Sequence, residues 1–452
     1  MSVLPASIAA RRARFFRALT PPPPEPDPPP PSGGITLLGV GSTSDSLTEY
    51  PITPSTTDGD WFVDPNAGTN GTGTLVNPFN NLASAYSAVS DGQTILVRGG
   101  TITPTSRFIR STSWSIGINV WAYGEERVTL DCSLLGTGSN SRVLTLTGAR
   151  EHYKGFRVIN HAGVGNDAQA IYIEGSHYTI EDVWAHDCNG TPFYVANWAT
   201  GASNNVFQDC AAWRLGDGVS TDTNTPDAFT ITGGTSSPAL SNKIVRCFAA
   251  NAPDDGVDMF RGRGTRVIDA VAYKCGWYWN GNAGSDGNGF KMGGGDNDSG
   301  DNSAVGCLAV SSRAQGFAHN QARNDTGSNP NIVFAFSTAV SNAGIGFDAG
   351  GDVSSQPNVL RDAIMSGNGT PRYVGSFATE SRTTSTLSIS DPLFADVGAF
   401  DWSLATGSAA IGAGLGADNL GASAVALRIA KAWAPVVESD ADALSPAEIH
   451  AS

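Results

Sequence analysis

Charged side chains are scarce in this chain. Asp, Glu, Lys and Arg make up 15% of its 452 residues, against about a quarter in an ordinary globular protein. Those present lean acidic, 27 Lys+Arg against 42 Asp+Glu, for a net charge of −15. No nucleic acid is expected as a partner, because a phosphate backbone needs a Lys/Arg surface that this composition lacks. No apolar run reaches the roughly eighteen residues of a membrane-spanning helix, so no membrane span is expected. Six cysteines are too few to staple a small disulfide scaffold, and the lack of any C-x-x-C pair removes zinc-ribbon and thioredoxin-like readings. The six histidines are scattered, with no spacing that argues for a Ser-His-Asp arrangement.

What the chain has instead is glycine, 54 residues of it, with 40% apolar content. That combination points to many short strands joined by turns. Residues 1–59 read as a leader: Arg11, Arg12, Arg14 and Arg17 are followed by the polyproline stretch PPPPEPDPPPP, a stiff spacer. A secretory signal would place an apolar stretch after its charges, and prolines stand there. The leader reads either as a tether that docks the protein to a larger assembly or as a misassigned start. From Asp60 the character changes. Leu82, Ala85, Tyr86 and Val89 lie on one helical face that ends at Asp91-Gly92, before a strand over Thr94 to Arg98. A helix there suits the end cap of a solenoid. The main fold is expected over 60–420, with a tail over 421–452 that adds a short helix.

A repeat follows from about residue 150. The runs YKGFRVI, IEDVWAH, VFQDCAAW, IVRCFAAN, VIDAVAY, AVGCLAV, VFAFSTAV and LRDAIM align Phe156, Val183, Cys210, Cys247, Ala270, Cys307, Phe336 and Ala363, at steps of 27, 27, 37, 23, 37, 29 and 27 residues. A second strand in each repeat aligns Ile171, Phe193, Phe229, Val257, Phe290, Phe317 and Phe347, all apolar and so inward. Two strand columns per turn of 22 to 37 residues describe an all-β, single-stranded parallel β-helix with extra length looped out of individual turns. Cys210, Cys247 and Cys307 then read as core thiols, with a Cys210–Cys247 bridge as the alternative, since adjacent turns lie about 4.8 Å apart.

One residue past the apolar column, strand alternation turns side chains outward. That column reads Tyr172, Tyr194, Thr230, Asp258, Lys291, Ala318 and Asp348; two residues before the apolar position it reads Asp227, Asp255, Asn288 and Gln315, with Asp254 adjoining. Asp227, Asp254, Asp255 and Asp258 thus converge on two rungs, where like charges repel. A metal ion answers that repulsion, and an all-oxygen donor set favours Ca²⁺ over zinc or copper. The alternative is a solvated Asp254-Asp255-Gly256 turn with an Asp258–Lys291 surface ion pair. Arg261 and Arg263 follow Asp258 on the same strand and could bind uronate carboxylates; the tryptophans of WYWNGN, 277–282, could stack on sugars; and GGGDNDSGD, 293–301, could hold a second cation.

NAPDDGVDMF, PDAF and GNGFKMGG resemble the signature segments of polysaccharide lyase family 9, pectate lyases built on a right-handed parallel β-helix. The resemblance spans about residues 60–415, although the segments at its two ends recur in β-helices of several activities. It implies a Ca²⁺-dependent enzyme that cleaves pectate or a related polyuronate, with Asp227, Asp254, Asp255 and Asp258 as calcium ligands and Lys291 as the base. Asn288 and Asn320 are carried over as substrate contacts. Ala228 departs from the pattern, standing where these enzymes usually have Gly. The chemistry is coherent: a C5 proton α to a carboxylate becomes removable when a cation stabilises the developing charge, and the 4-O-glycosidic oxygen then leaves without hydrolytic water. Such an enzyme is expected to work outside the cell. The competing class is a binding or tail-spike-like attachment module, virion-associated through the leader.

Overall fold

The computed structural model describes residues 59–411 and 425–437, apart from internal segments of which 219–224, 321–331, 349–357 and 370–386 are the longest. Residues 1–58, and with them the tether reading of the leader, lie outside the described residues. The described chain winds as stacked turns whose strands form three parallel sheets of 11, 9 and 11 strands. The first sheet begins with Trp61–Val63 against Thr94–Val97, so winding starts well before residue 150.

The inward column of the second sheet runs in register through Ile171, Phe193, Phe229, Val257, Phe290, Phe317 and Phe347. Aromatic rings repeat there because parallel in-register strands place identical side chains one rung apart. Phe317 stacks between Phe290 at 4.8 Å and Phe347 at 4.5 Å, its ring nearly parallel to both. One place earlier Gly256, Gly289 and Gly316 form a ladder in which a Cβ would meet the next rung's carbonyl oxygen at 2.6, 2.7 and 2.8 Å. Ala228 heads this ladder, so the methyl group that breaks the resemblance sits at its end, fully buried.

Two strands per turn was an undercount. Each run read as one strand is two, folded at a corner: Thr179–Glu181 belongs to the first sheet and Trp184–Cys188 to the third. The corner is a left-handed residue (Asp182, Asp209, Arg246, Asp269, Gly306 or Phe336, all at positive φ) followed by a small inward one. Val183, Cys210, Cys247, Ala270 and Cys307 fill the second place, but the rung after Cys307 places Ser337 there and not Phe336, since Leu308 pairs with Thr338. The six cysteines are buried free thiols, so no Cys210–Cys247 bridge exists. The thiols of Cys210 and Cys247 face the carbonyls of Ile180 and Phe207 instead.

The helix Leu82–Ala88 is capped by Asn81, whose side chain accepts from the Ser84 amide, and it buries Leu82 and Ala85 in the common core. Later in the chain, the helical stretch 425–431 lies on the outer face of the third sheet, with Ala434 and Val437 beside it. Ala426, Ala430, Ala434 and Val437 share a second core with Trp213, Phe248, Val271, Leu308, Val310 and Val340.

Candidate active site

The outward face of the second sheet carries the site. Thr230, Asp258, Lys291, Ala318 and Asp348 occupy consecutive rungs in one column. Asp258 and Lys291 are each 8% exposed and Asp255 is fully buried, which removes the reading of a solvated turn with a surface ion pair. The Lys291 Nζ lies 3.0 Å from Asp255 Oδ2, 3.4 Å from Asp258 Oδ2 and 3.8 Å from Asp286 Oδ2.

The aspartates form two overlapping triplets rather than one cluster of four. Asp227, Asp255 and Asp258 bring carboxylate oxygens within 4.8 Å of one another, and so do Asp254, Asp255 and Asp286. Asp255 is the common member and is the most firmly held: its Oδ1 accepts from the Asn288 amide at 2.7 Å and from Asn288 Nδ2 at 2.8 Å. Asp227 accepts from the Asp255 amide at 3.0 Å and from the Thr230 hydroxyl at 2.7 Å. Asp258 Oδ1 is buried without a hydrogen-bond partner.

Burial and mutual repulsion push these acids upward. Burial first, then Asp255, raises Asp254 to about 8; burial, against the pull of Lys291, raises Asp258 to about 6. Asp227 is held well above the carboxylate range by burial and by Asp258, Asp254 and Asp255. Burial pulls the Lys291 ammonium down, but Asp258, Asp255, Asp227 and Asp254 outweigh it, and the lysine holds its proton above the ordinary lysine range. Five carboxylates thus face one ammonium. The donors are all oxygen and one buried carboxylate oxygen is unsatisfied, so the residues fit a hard, oxygen-preferring cation.

Other expected site residues fall elsewhere. Asn288 is 4% exposed; besides its bonds to Asp255, its Oδ1 accepts from the Gln315 amide at 3.3 Å, so its side chain orients Asp255. Arg263 is not on the strand of Asp258. It belongs to Gly262–Arg263, paired with Ala239–Leu240, and its guanidinium binds Asp301 at 3.0 Å. Arg261 sits at the bend before that strand, with φ 62° and its guanidinium carbon 4.9 Å from the Phe260 ring centre. Asn320 is exposed, at the rim of a groove of about 260 Å³ beyond Lys291 that Asp286, Asn288, Gln315 and Asp348 also line. In WYWNGN the loop packs back on its fold: Tyr278 is buried, and Asn280 and Asn282 both donate to the Gly218 carbonyl. The second-cation reading of 293–301 falls on 295–298, outside the described residues. Asp286 was missed because it ends a looped-out insertion, where ladder spacing carries no information. The signal available was its acidity two places before Asn288.

Residues 61–358 match the family model described as Pel9A-like, right handed beta helix region. The chain belongs to this family. Among curated relatives, a Pectate lyase L of Paenibacillus polymyxa is 31% identical over 256 residues, 52% of this chain and 54% of the relative, so the match spans about half of that relative's length. A Pectate lyase L of Dickeya dadantii is 28% identical, over 67% of this chain and 70% of the relative. Among solved structures, pectate lyase Pel9A superposes with a TM-score of 0.62 at 22% identity, covering 78% of this chain and 90% of that one. A structure titled rhamnogalacturonan lyase gives 0.61 at 21% identity, covering 74% and 90%. These structural likenesses establish that the Pel9A-like chain is a right-handed parallel β-helix.

Proposed function

We propose that this Pel9A-like chain is a polysaccharide lyase that cleaves a polyuronate, with pectate as the leading substrate, by β-elimination. One observation carries the reading: a single buried lysine on the rung next to Asp258, ringed by more carboxylates than it can neutralise. The names of the curated relatives support it. Asp227, Asp254, Asp255 and Asp258 would hold Ca²⁺, with Asp286 beside them. When bound, the ion supplies Lewis-acid stabilisation of charge on the substrate carboxylate.

Lys291 is the residue to take the C5 proton, at Nζ. The same carboxylates that now hold its proton are the ligand set, so its basicity depends on how far those charges are engaged elsewhere. The rung spacing of about 4.8 Å keeps Nζ beside the ligand carboxylates and on the outward face, where a sugar can approach. Asn288 fixes Asp255 by two hydrogen bonds, which keeps one oxygen of that acid turned toward the site. A paired-carboxylate hydrolysis is disfavoured, because the acids crowd around one cation position and do not flank a bond from opposite sides. A polymer substrate places the work outside the cell.

The test is the ultraviolet absorbance of the unsaturated product, followed on polygalacturonate with Ca²⁺, with a chelator, and with Lys291→Ala. Product that requires both calcium and Lys291 is expected, with the variant reduced at least a thousandfold. Full activity in Lys291→Ala would remove the lysine from the mechanism.

A further inference from the structure

The outward column that carries Asp258 and Lys291 also runs toward the start of the chain, through Thr230 to Tyr194 and Tyr172. The column of Asp227 and Asp255 runs back beside it, through Thr191 and Gln169 to Arg142. The two columns meet at Arg142: its Nε donates to Gln169 Oε1 at 3.0 Å, and its guanidinium carbon lies 3.6 Å from the centre of the Tyr172 ring. Tyr172 in turn stacks on Tyr194, at 5.8 Å with 15° between the ring planes. Ile171, Ile173, Phe193 and Val195 take the core side of these strands, so the tyrosines face outward, as the acids do, and the guanidinium lies with them. Arg98, Arg110 and Arg127 also lie over aromatic rings, and each is paired with a carboxylate, of Glu126, Glu151 and Asp182. Arg142 is stacked in the same way but has the neutral Gln169 oxygen in that place, and among the described residues no carboxylate pairs with it. It is partly exposed. Held by a ring below and a carboxamide at one edge, the guanidinium keeps its terminal Nη donors for a planar anion.

We infer that Arg142 is a distal anchor for a uronate carboxylate of the bound polymer, about three sugar units from the uronate that loses its proton. Arg142 and Asp227 are three rungs apart along their column, about 14 Å at the spacing of parallel strands. A pyranose unit advances a glycan by close to one rung, so a chain laid along the outward face brings a later carboxylate to the guanidinium. Tyr172, with Tyr194 behind it, fixes the plane of that guanidinium before the polymer arrives, which lowers the ordering cost of the contact. The inference rests on the lyase reading for the identity of the polymer, and it adds a length requirement: the anchor acts only on chains that reach it.

The experiment compares the full chain with Arg142→Gln and Arg142→Met on trigalacturonate and octagalacturonate with calcium, by kcat/KM and by calorimetric binding. The methionine keeps an apolar stem over Tyr172 without the charge, so agreement between the two variants separates lost charge from lost packing. Both variants should lose about tenfold or more in kcat/KM and in affinity on the octamer, a loss of about 1.4 kcal/mol or more. On the trimer, too short to span the site and the anchor, they should stay within about twofold of wild type. The loss should sit in KM, with kcat at saturating octamer little changed, because the contact is remote from the reacting atoms. Equal losses on both lengths, or unchanged octamer affinity in both variants, overturns the inference and leaves Arg142 a packing residue. If no oligomer yields unsaturated product but the octamer binds the wild type at least tenfold more tightly than either variant, the anchor stands and the lyase reading fails.

Discussion

Asn288→Ala separates an orienting role from a substrate-binding one. The side chain donates one 2.8 Å hydrogen bond to Asp255 Oδ1 and accepts one 3.3 Å bond from the Gln315 amide, in a place that is 4% exposed. A bond to a buried carboxylate is worth about 1.5–3 kcal/mol, and the neutral one about 0.5–1.5 kcal/mol. The substitution should therefore cost about 2–4 kcal/mol in urea unfolding. Asp255 keeps the backbone amide of residue 288 at 2.7 Å, so the acid stays near its place but turns more freely. Losing the partner that orients a ligand typically weakens metal affinity about 10–100-fold. The assay is calcium titration by calorimetry beside steady-state kinetics at saturating calcium. A weaker calcium affinity with KM for polymer within twofold of wild type is expected; unchanged calcium affinity with a strongly raised KM would refute the reasoning and return Asn288 to substrate contact.

Three other perturbations address the fold. Phe317→Ala removes the middle ring of a three-ring stack at full burial and should cost about 3–5 kcal/mol in denaturant unfolding. The His161 imidazole is fully buried, donating from Nε2 to the Ser141 carbonyl, and burial pulls it down to about 4. The unfolded chain takes up that proton near 6.5, so this contribution is present above pH 6.5 and is lost as pH falls toward 4, by about 3 kcal/mol. His161→Gln should flatten that part of the stability profile between pH 7.5 and 4.5, measured as a difference from wild type. Burial, opposed by Arg246 and Arg428, raises the Asp269 carboxyl to about 8. Its stabilising protonated form is complete below pH 4 and is lost as pH rises through 8, so Asp269→Asn should gain on the wild type in melting temperature at pH 9 and lose that advantage at pH 4.

The second sheet was legible because its pattern is stark: an inward aromatic every turn, with the outward residue following it. Asp227, Asp255, Asp258, Asn288 and Lys291 fall into register from that pattern alone. The third sheet was not legible, because the corner before it turns within one left-handed residue that is Asp, Arg or Phe as readily as Gly. Without a glycine or proline to mark the bend, two short strands read as one. Phe336 shows the cost: its bulk attracted it to an apolar column, whereas the fold places it at the bend and gives the inward place to Ser337, whose hydroxyl accepts from the Cys307 amide at 3.1 Å. Asp286 and the displacement of Arg263 escaped for a related reason, since looped-out segments have no period. The covering role of residues 425–437 was equally hidden, because the alanines that meet the third sheet carry no apolar signal strong enough to stand out.

The groups assembled at the site come from three successive turns, and the distance between them along the chain is immaterial. Asp227 and Asp255 lie 28 residues apart, Asp255 and Asn288 33, yet both steps advance the column by one rung. Loops such as 277–283 can therefore be lengthened, shortened or exchanged without moving the site aspartates, whereas adding one whole turn between Asp258 and Lys291 would separate the lysine from its acids by a further rung, about 4.8 Å. The molecule resembles a text in which line breaks matter and line lengths do not: substrate range can be rewritten in the loops while the chemistry stays fixed by the order of the turns.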